Sequence, residues 1–265
     1  MKVAIVQMDI IQGNFDANLE KVGRLAEKAK AMGASIAVFP EMFLCGFNYK
    51  KNLEYLRENG DFAERQLCKI AKKFSIAICG SVPHLLKEDM PPVNRFLFCT
   101  AGGEILSHYD KIHLFSVFNE DKYITPGGSI VSADTDFGRV GFAICYDLRF
   151  PEMFVELTKR NVKLVIVSAA FPHPRSEHWR ILCRARAIEN QCFILAVNRS
   201  GVEDLPSGPI KYFGLSAVID PWGGVVCECG EDASDDIAVA DINLDEVDFI
   251  HAKIPALADR REDLY

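Results

Sequence analysis

The sequence predicts an α/β fold in which mixed β-sheets carry helices on their outer faces. Three observations lead there. Short apolar runs of strand length recur from one end of the chain to the other. Between several of them lie longer stretches whose apolar residues repeat at helical spacing. Two glycine pairs punctuate tight connections between neighbouring runs, so some strands pair as hairpins while helices separate others.

Residues 3–8 open the series as a strand. The apolar run begins at once, meets Asp9 and lacks a small-residue cleavage site, so a strand is expected there and not a signal peptide. Residues 18–31 form a helix, with Leu19, Val22, Leu25, Ala26 and Ala29 on one face. A strand over 36–40 follows, then a helix over 61–74 aligned on Phe62, Leu67, Ile70, Ala71 and Phe74. Strands are expected at 76–82, 95–100 and 105–111, the last two joined by the turn Ala101-Gly-Gly-Glu104. A strand at 140–145, a helix at 152–160 and a strand at 164–169 come next. The helix at 176–189 opens on Ser176, with Trp179 three residues later. Strands at 192–198, 214–219, 225–229 and 238–242 complete the set, with Pro221-Trp-Gly-Gly224 as a second hairpin turn. No Pro/Ser/Gly-rich linker, low-complexity stretch or solenoid repeat divides the chain, so residues 1–265 are expected to form one domain.

Composition narrows the function. Hydrophobic residues make up 49% and charged residues 25% of the 265, ordinary values for a globular protein. No stretch approaches the roughly 20 apolar residues a membrane helix needs. The net charge of −7 with dispersed Lys and Arg argues against nucleic acid or an anionic membrane as partner, while leaving room for a local cationic pocket. Nine cysteines, an odd number scattered through apolar runs without a CxxC pair, imply a reducing, cytoplasmic setting and mostly inert thiols. Cys227-Glu-Cys229 fits an alternating strand. His173 and His178 lie five apart with no convincing carboxylate or cysteine beside them, so no metal site is expected. Gly127-Gly128 and Gly223-Gly224 lack a phosphate-loop context, and no cofactor is expected either.

Three segments carry chemistry, each at the carboxyl end of a strand. Residues 36–40 lead into Glu41, the segment 107–115 supplies Lys111, and the run 142–145 ends in Cys145. Ligands gather at carboxyl ends of strands in layered α/β folds, so the three can converge. A polar turn and a helix start follow Cys145, and backbone N–H groups there favour a thiolate and a neighbouring oxyanion. A carboxylate to accept the thiol proton and an ammonium to lower the thiol pKa complete what a thiol hydrolase needs. Each residue also has a plainer reading. Cys145 could be one more packed thiol, Glu41 a surface carboxylate, and Lys111 a snorkelling hairpin lysine. A papain-like pairing of Cys145 with His113 lacks that family's signature around the cysteine.

Pro40-Glu41-Met-Phe, Tyr109-Asp-Lys111-Ile-His-Leu-Phe115 and Gly141-Phe-Ala-Ile-Cys145-Tyr-Asp-Leu-Arg-Phe-Pro-Glu152 together resemble the nitrilase superfamily of carbon–nitrogen hydrolases. Val3-Ala-Ile-Val-Gln7, His178-Trp179, Arg184-Ala-Arg-Ala-Ile-Glu189-Asn-Gln191, Asp220-Pro-Trp-Gly223 and the tail from Ile254 to Tyr265 extend the likeness over the whole chain. The resemblance implies a four-layer αββα sandwich, two mixed sheets flanked by helices, that is usually a homodimer. It implies Cys145 as nucleophile, Glu41 as general base and Lys111 as oxyanion stabiliser, with Glu120 holding Lys111 and steering water. The backbone N–H of Tyr146 is a second oxyanion donor, and Phe171 falls at an aromatic pocket wall. Arg149 matches an arginine that holds a substrate carboxylate in relatives acting on ω-amides. Its alternative is a structural salt bridge with Asp147 or Glu152. The implied activity is hydrolysis of a small linear amide by water through a thioester, with an ω-amide of a dicarboxylic 2-oxo acid such as 2-oxoglutaramate preferred. Deaminated glutathione amidase, N-carbamyl hydrolase and nitrilase are alternatives within the superfamily. A silent binding subunit is the alternative outside it.

Overall fold

In the computed structural model, which describes residues 1–205 and 208–264, two six-stranded sheets stack face to face. In chain order the elements begin β1 (Lys2–Gln7), α1 (Phe15–Ala31), β2 (Ile36–Val38), α2 (Tyr49–Asn59), α3 (Phe62–Phe74), β3 (Ala77–His84), β4 (Val93–Cys99) and β5 (Ile105–Asp110). They continue as α4 (Glu120–Tyr123), β6 (Ser132–Thr135), β7 (Gly138–Ile144), α5 (Pro151–Lys159), β8 (Leu164–Ala169), α6 (Ser176–Asn190) and β9 (Phe193–Asn198). Then come β10 (Ser200–Leu205), β11 (Gly208–Phe213), β12 (Ala217–Ile219), β13 (Val225–Glu228), β14 (Asp236–Asp241) and α7 (Asp245–Lys253).

The first sheet runs β14-β1-β2-β3-β4-β5, and the second β13-β12-β9-β8-β7-β6. Each is parallel at its centre and antiparallel at its margins. β1 pairs parallel with β2 and β2 with β3, as β7 does with β8 and β8 with β9. Parallel strands need helical crossovers, which cover the outer faces, so the central strands are buried on both sides. β1 illustrates this. Val3 and Ile5 face the second sheet, whereas Ala4 and Val6 face the layer that contains Leu19, Val22 and Leu67 of α1 and α3. Between the sheets, Phe96 of β4 stacks on Phe142 of β7 with ring centroids 4.8 Å apart. Each such buried phenyl contributes on the order of 2–3 kcal/mol by leaving water. α5 and α6 cover the second sheet through Phe154, Leu157, Trp179 and Cys183. The result is the expected αββα sandwich with two mixed sheets.

Several boundaries move for physical reasons. α1 starts at Phe15 because Asn14 caps it, its side chain accepting from the Ala17 N–H. The strand expected to include Cys145 stops at Ile144, and Cys145–Arg149 winds into a 3₁₀ turn ahead of α5, which opens on Pro151. α2, α4, α7, β6 and the β10–β11 hairpin have no counterpart in the sequence reading. α2 buries only Asn52 and Leu56, and α7 only Val247 and Ile250, so neither shows an apolar stripe. Both expected hairpin turns form. At the second, Asp220 Oδ1 accepts from the N–H groups of Trp222 and Gly224. All nine cysteines are unpaired. Among the described residues no helix is long and apolar enough to cross a membrane. The tail's last residue, Tyr265, lies outside the described residues.

Candidate active site

Three strand ends meet at one end of the sandwich. Beyond β2, the chain bends through Pro40 into a turn whose residues Met42–Cys45 are buried, which leaves Glu41 1% exposed. Its backbone N–H donates to Ala169 O at the end of β8 in the other sheet, and the Ala170 N–H donates to Glu41 Oε2 at 3.0 Å. Glu41 is therefore fixed across the interface between the sheets.

Lys111 follows β5 and is equally buried. Its Nζ donates to Glu41 Oε1 at 2.7 Å and to Glu120 Oε1 and Oε2 at 3.0 and 2.8 Å. The snorkelling reading of Lys111 is thus overturned, because both carboxylates draw the ammonium inward. Gly127 seals this strand end. Its N–H donates to Lys111 O, and any Cβ there would strike the Asp110 carbonyl. Glu120 begins α4 after Asn119, which adopts a left-handed backbone. Its Oε2 also accepts from the Phe115 N–H, closing the loop over the lysine.

Cys145 has φ of 45°, in the left-handed region that a side chain with Cβ enters at a cost of order 1–3 kcal/mol. The kink lifts the thiol off β7 into the cavity. Asp147 pins it. This fully buried carboxylate accepts from the Ile144 N–H at 2.8 Å, the Tyr109 hydroxyl at 2.7 Å, the His113 N–H at 3.2 Å and His113 Nδ1 at 2.7 Å. The ring of His113 stacks on Phe150. Its backbone N–H and Nδ1 are both engaged by Asp147, and among the described residues no hydrogen bond joins its ring to Cys145.

Electrostatics departs from the sequence reading at the cysteine. Burial pushes the Cys145 thiol well up and Glu41 adds to that, outweighing Lys111 and the Ala170 N–H, which pull it down. A resting thiolate is not favoured there. Burial also raises Glu41, against the pull of Lys111. Desolvation works against the Lys111 ammonium, but Glu120 and Glu41 together hold its pKa well above the usual lysine value. The group is thus a charged lysine, a carboxylate of raised proton affinity and a neutral thiol.

A cavity opens above this group, lined by Glu41, Lys111, Glu120 and Cys145 together with Tyr146, Arg149 and Phe171. All seven residues singled out in the sequence come together here. Arg149 does not bridge to Asp147, which is occupied by Tyr109 and His113. Instead its Nη2 lies 3.3 Å from His178 Nδ1, and its guanidinium sits 5.3 Å from the centre of the Phe171 ring. Phe171 is held by Asn198, whose Oδ1 accepts from the Phe171 N–H at 2.7 Å.

Four further residues, given no role in the site by the sequence reading, belong to it. Asn94 lies one step past the Arg95–Asp110 pair that ends the β4–β5 ladder, its carbonyl accepting from the Lys111 N–H, and its Nδ2 donates to Glu41 at 2.8 Å and Glu120 at 3.3 Å. Asp147 was considered only as a partner for Arg149. Tyr49 and Arg175 also line the cavity. The Tyr49 hydroxyl is buried without a hydrogen-bond partner among the described residues, and burial and Glu120 raise its pKa. No local motif marks Asn94 or Tyr49, whereas Arg175 lies in the segment Pro172-His-Pro-Arg175 just ahead of His178-Trp179. Only strand register and loop packing bring the first two in. Among the described residues no group of His, Cys, Asp and Glu is arranged to hold a metal ion.

A strained cysteine beside a buried ammonium and two carboxylates, set between the sheets of an αββα sandwich, defines a class of hydrolases that act on carbon–nitrogen bonds. The family described as carbon-nitrogen hydrolase matches residues 2–252, and the chain belongs to it. It is 35% identical to the 2-oxoglutaramate amidase of Bacillus subtilis strain 168, over 99% of this chain and 98% of that one. It is 33% identical to the deaminated glutathione amidase of Dictyostelium discoideum, covering 95% of this chain and 91% of the relative. A solved structure of a mutant amidase from Nesterenkonia sp. AN1, bearing acrylamide added at its active site cysteine, superposes with a TM-score of 0.86. It is 26% identical, with 100% of this chain and 98% of that one covered.

Proposed function

We propose that this carbon–nitrogen hydrolase cleaves the ω-amide of a dicarboxylic 2-oxo acid, of the 2-oxoglutaramate kind, to ammonia and the diacid. The observation that carries this reading is the buried Glu41–Lys111–Glu120 cluster, which shares its cavity with both Cys145 and the guanidinium of Arg149, free of carboxylate partners among the described residues. The full-length similarity to a 2-oxoglutaramate amidase supports the choice of substrate.

The chemistry follows from the proton affinities. Because the thiol is neutral at rest, its proton passes to Glu41 as the sulfur attacks the amide carbon. Raised proton affinity makes Glu41 a better base for this than an ordinary carboxylate. The developing oxyanion is met by Lys111 and the backbone N–H of Tyr146, each such donor contributing on the order of 3 kcal/mol. Collapse breaks the C–N bond, and Glu41 returns its proton to the departing ammonia, leaving a thioester on Cys145. Glu120 fixes Lys111 and helps orient water, which attacks the thioester while Glu41 takes its proton. The second collapse frees the acid, and Glu41 reprotonates the sulfur. Arg149, steadied over Phe171, holds the distal carboxylate with a fork suited to it. The Tyr49 hydroxyl is available to the substrate or the water.

We further infer one domain over residues 1–265, because strands of both sheets share the core between them. A homodimer is supported by the exposed apolar Ile181 and Ile188 of α6, Phe249 of α7 and Ile254 of the tail. Light scattering after gel filtration tests it, with a monomer mass as the refuting result. The nine unpaired cysteines support a cytoplasmic setting.

Ammonia release is to be measured on 2-oxoglutaramate, deaminated glutathione, glutamine, carbamoyl amino acids and simple nitriles. The expected order places 2-oxoglutaramate first. No release above a Cys145→Ala control on any of them defeats the enzyme reading. Preference for deaminated glutathione moves the assignment to that activity.

A further inference from the structure

The cavity above Cys145 is lined by three cations, Lys111, Arg149 and Arg175, against two carboxylates, Glu41 and Glu120, in a chain whose net charge is −7. Lys111 is matched by the carboxylates. The two guanidiniums are not. Among the described residues Arg149 has only His178 and the Phe171 ring as partners. The Arg175 side chain has neither a hydrogen bond nor an ion pair among the described residues. Its backbone is nonetheless firmly held, the N–H donating to Pro172 O and the carbonyl accepting from the Trp179 N–H at the start of α6.

Arg175 is also the wrong residue for its place in the fold. It occupies the N-cap of a 15-residue helix and supplies no side-chain cap. Ser, Thr, Asp or Asn would satisfy a free N–H there, and a cation at that end opposes the helix dipole. Stability therefore does not account for an arginine at this point. Its position on the cavity wall beside Phe171 does.

We propose that Arg175 is a second anion-reading residue which, with Arg149, makes the pocket select amides whose far end carries a carboxylate next to an uncharged carbonyl. The inference rests on the ω-amide reading and deepens it. Two guanidiniums flanking that end can share the carboxylate and the 2-oxo oxygen through charge-assisted hydrogen bonds. A 2-amino acid amide such as glutamine places an ammonium in the same spot, where like charges on both sides repel it. Unpaired polar groups and like charges reject a wrong substrate more strongly than lost methylenes do.

The test compares kcat/KM of the intact enzyme on 2-oxoglutaramate, glutamine and pentanamide, which share the reacting amide and differ at the far end. Arg175→Met is expected to lower the value for 2-oxoglutaramate about 10-fold or more beyond any fall for pentanamide. The ratio of 2-oxoglutaramate to glutamine is expected to shrink with it, mainly through KM. Arg175→Lys restores part of the preference over pentanamide. A uniform fall on all three amides, or an unchanged ratio between them, overturns the role of Arg175 while leaving the ω-amide reading intact. A wild-type enzyme without preference for 2-oxoglutaramate over pentanamide overturns both.

Discussion

The hydroxyl of Tyr109, on β5 of the first sheet, donates a 2.7 Å hydrogen bond to Asp147, in the turn that begins at Cys145 on the second. One bond thus ties the strand that delivers Lys111 to the elbow that carries the thiol. Asp147 is fully buried, so each of its donors offsets the cost of a carboxylate out of water. Tyr109→Phe removes one of them. Folding stability is expected to fall by about 1.5–3 kcal/mol, the usual range for a hydrogen bond to a charged group. Because the elbow loosens relative to Lys111, kcat falls more than KM rises. Urea unfolding and steady-state kinetics on the same preparation check both. An unchanged kcat in a destabilised variant would show that the elbow holds its shape without Tyr109.

Glu41 serves chemistry at the expense of stability. Burial raises its proton affinity in the folded protein above that in the unfolded chain. The folded state therefore binds the proton more tightly, and stability declines as pH rises from the ordinary carboxylate range toward the raised folded value. Glu41→Gln removes that decline, and Lys111 keeps Glu120 as its partner. The variant is expected to lose turnover while melting at or above the wild-type temperature at pH 8, with the gap narrowing toward pH 4. A lower melting temperature at pH 8 would contradict this.

Lys111 shifts Glu41 in the opposite direction, since its charge pulls the carboxyl pKa down. Lys111→Met leaves Glu41 and Glu120 buried together without a cation. Breaking a buried ion pair in this way costs about 3–5 kcal/mol. Residual turnover, lowered by roughly 100- to 1,000-fold for a lost oxyanion donor, should show its acid limb displaced to higher pH, because Glu41 now holds its proton more firmly. An acid limb that stays in place would mean that Glu41 is not the group it reports.

What the sequence revealed here was local. Cys145 and Glu41 each follow an apolar strand and Lys111 a mixed one, and strand ends can be recognised from neighbours in the chain. Glu120 could be placed only through the family resemblance, since the loop around it carries no periodicity. Asn94 reaches Glu41 because the end of the β4–β5 ladder sets its carbonyl against the Lys111 N–H, a relationship no single segment contains. The thiol's proton affinity was misjudged for a related reason. A strand end and a nearby ammonium favour a thiolate, but the depth of burial and the closeness of Glu41 are set by packing between the sheets. α2 and α7 were missed because two buried residues each make no stripe.

Phe171 is expected to act on the substrate through Arg149. Its ring lies under the guanidinium and is wedged against Trp179 and Phe213, while Asn198 fixes its backbone from both sides. Arginine carries about 2 kcal/mol of rotamer entropy, so a platform that restricts it improves binding without adding a contact to the substrate. Phe171→Leu keeps the wall apolar but removes the π-face. KM for 2-oxoglutaramate should rise several-fold with little change in kcat, because the carboxylate is held alike in the ground and transition states. Arg149→Met should cost more, about 10- to 100-fold in kcat/KM, and should spare pentanamide relative to 2-oxoglutaramate. The double variant decides the mechanism. If Phe171 works by holding Arg149, adding Phe171→Leu to Arg149→Met changes kcat/KM no further, whereas a multiplicative loss would mean the ring meets the substrate on its own account.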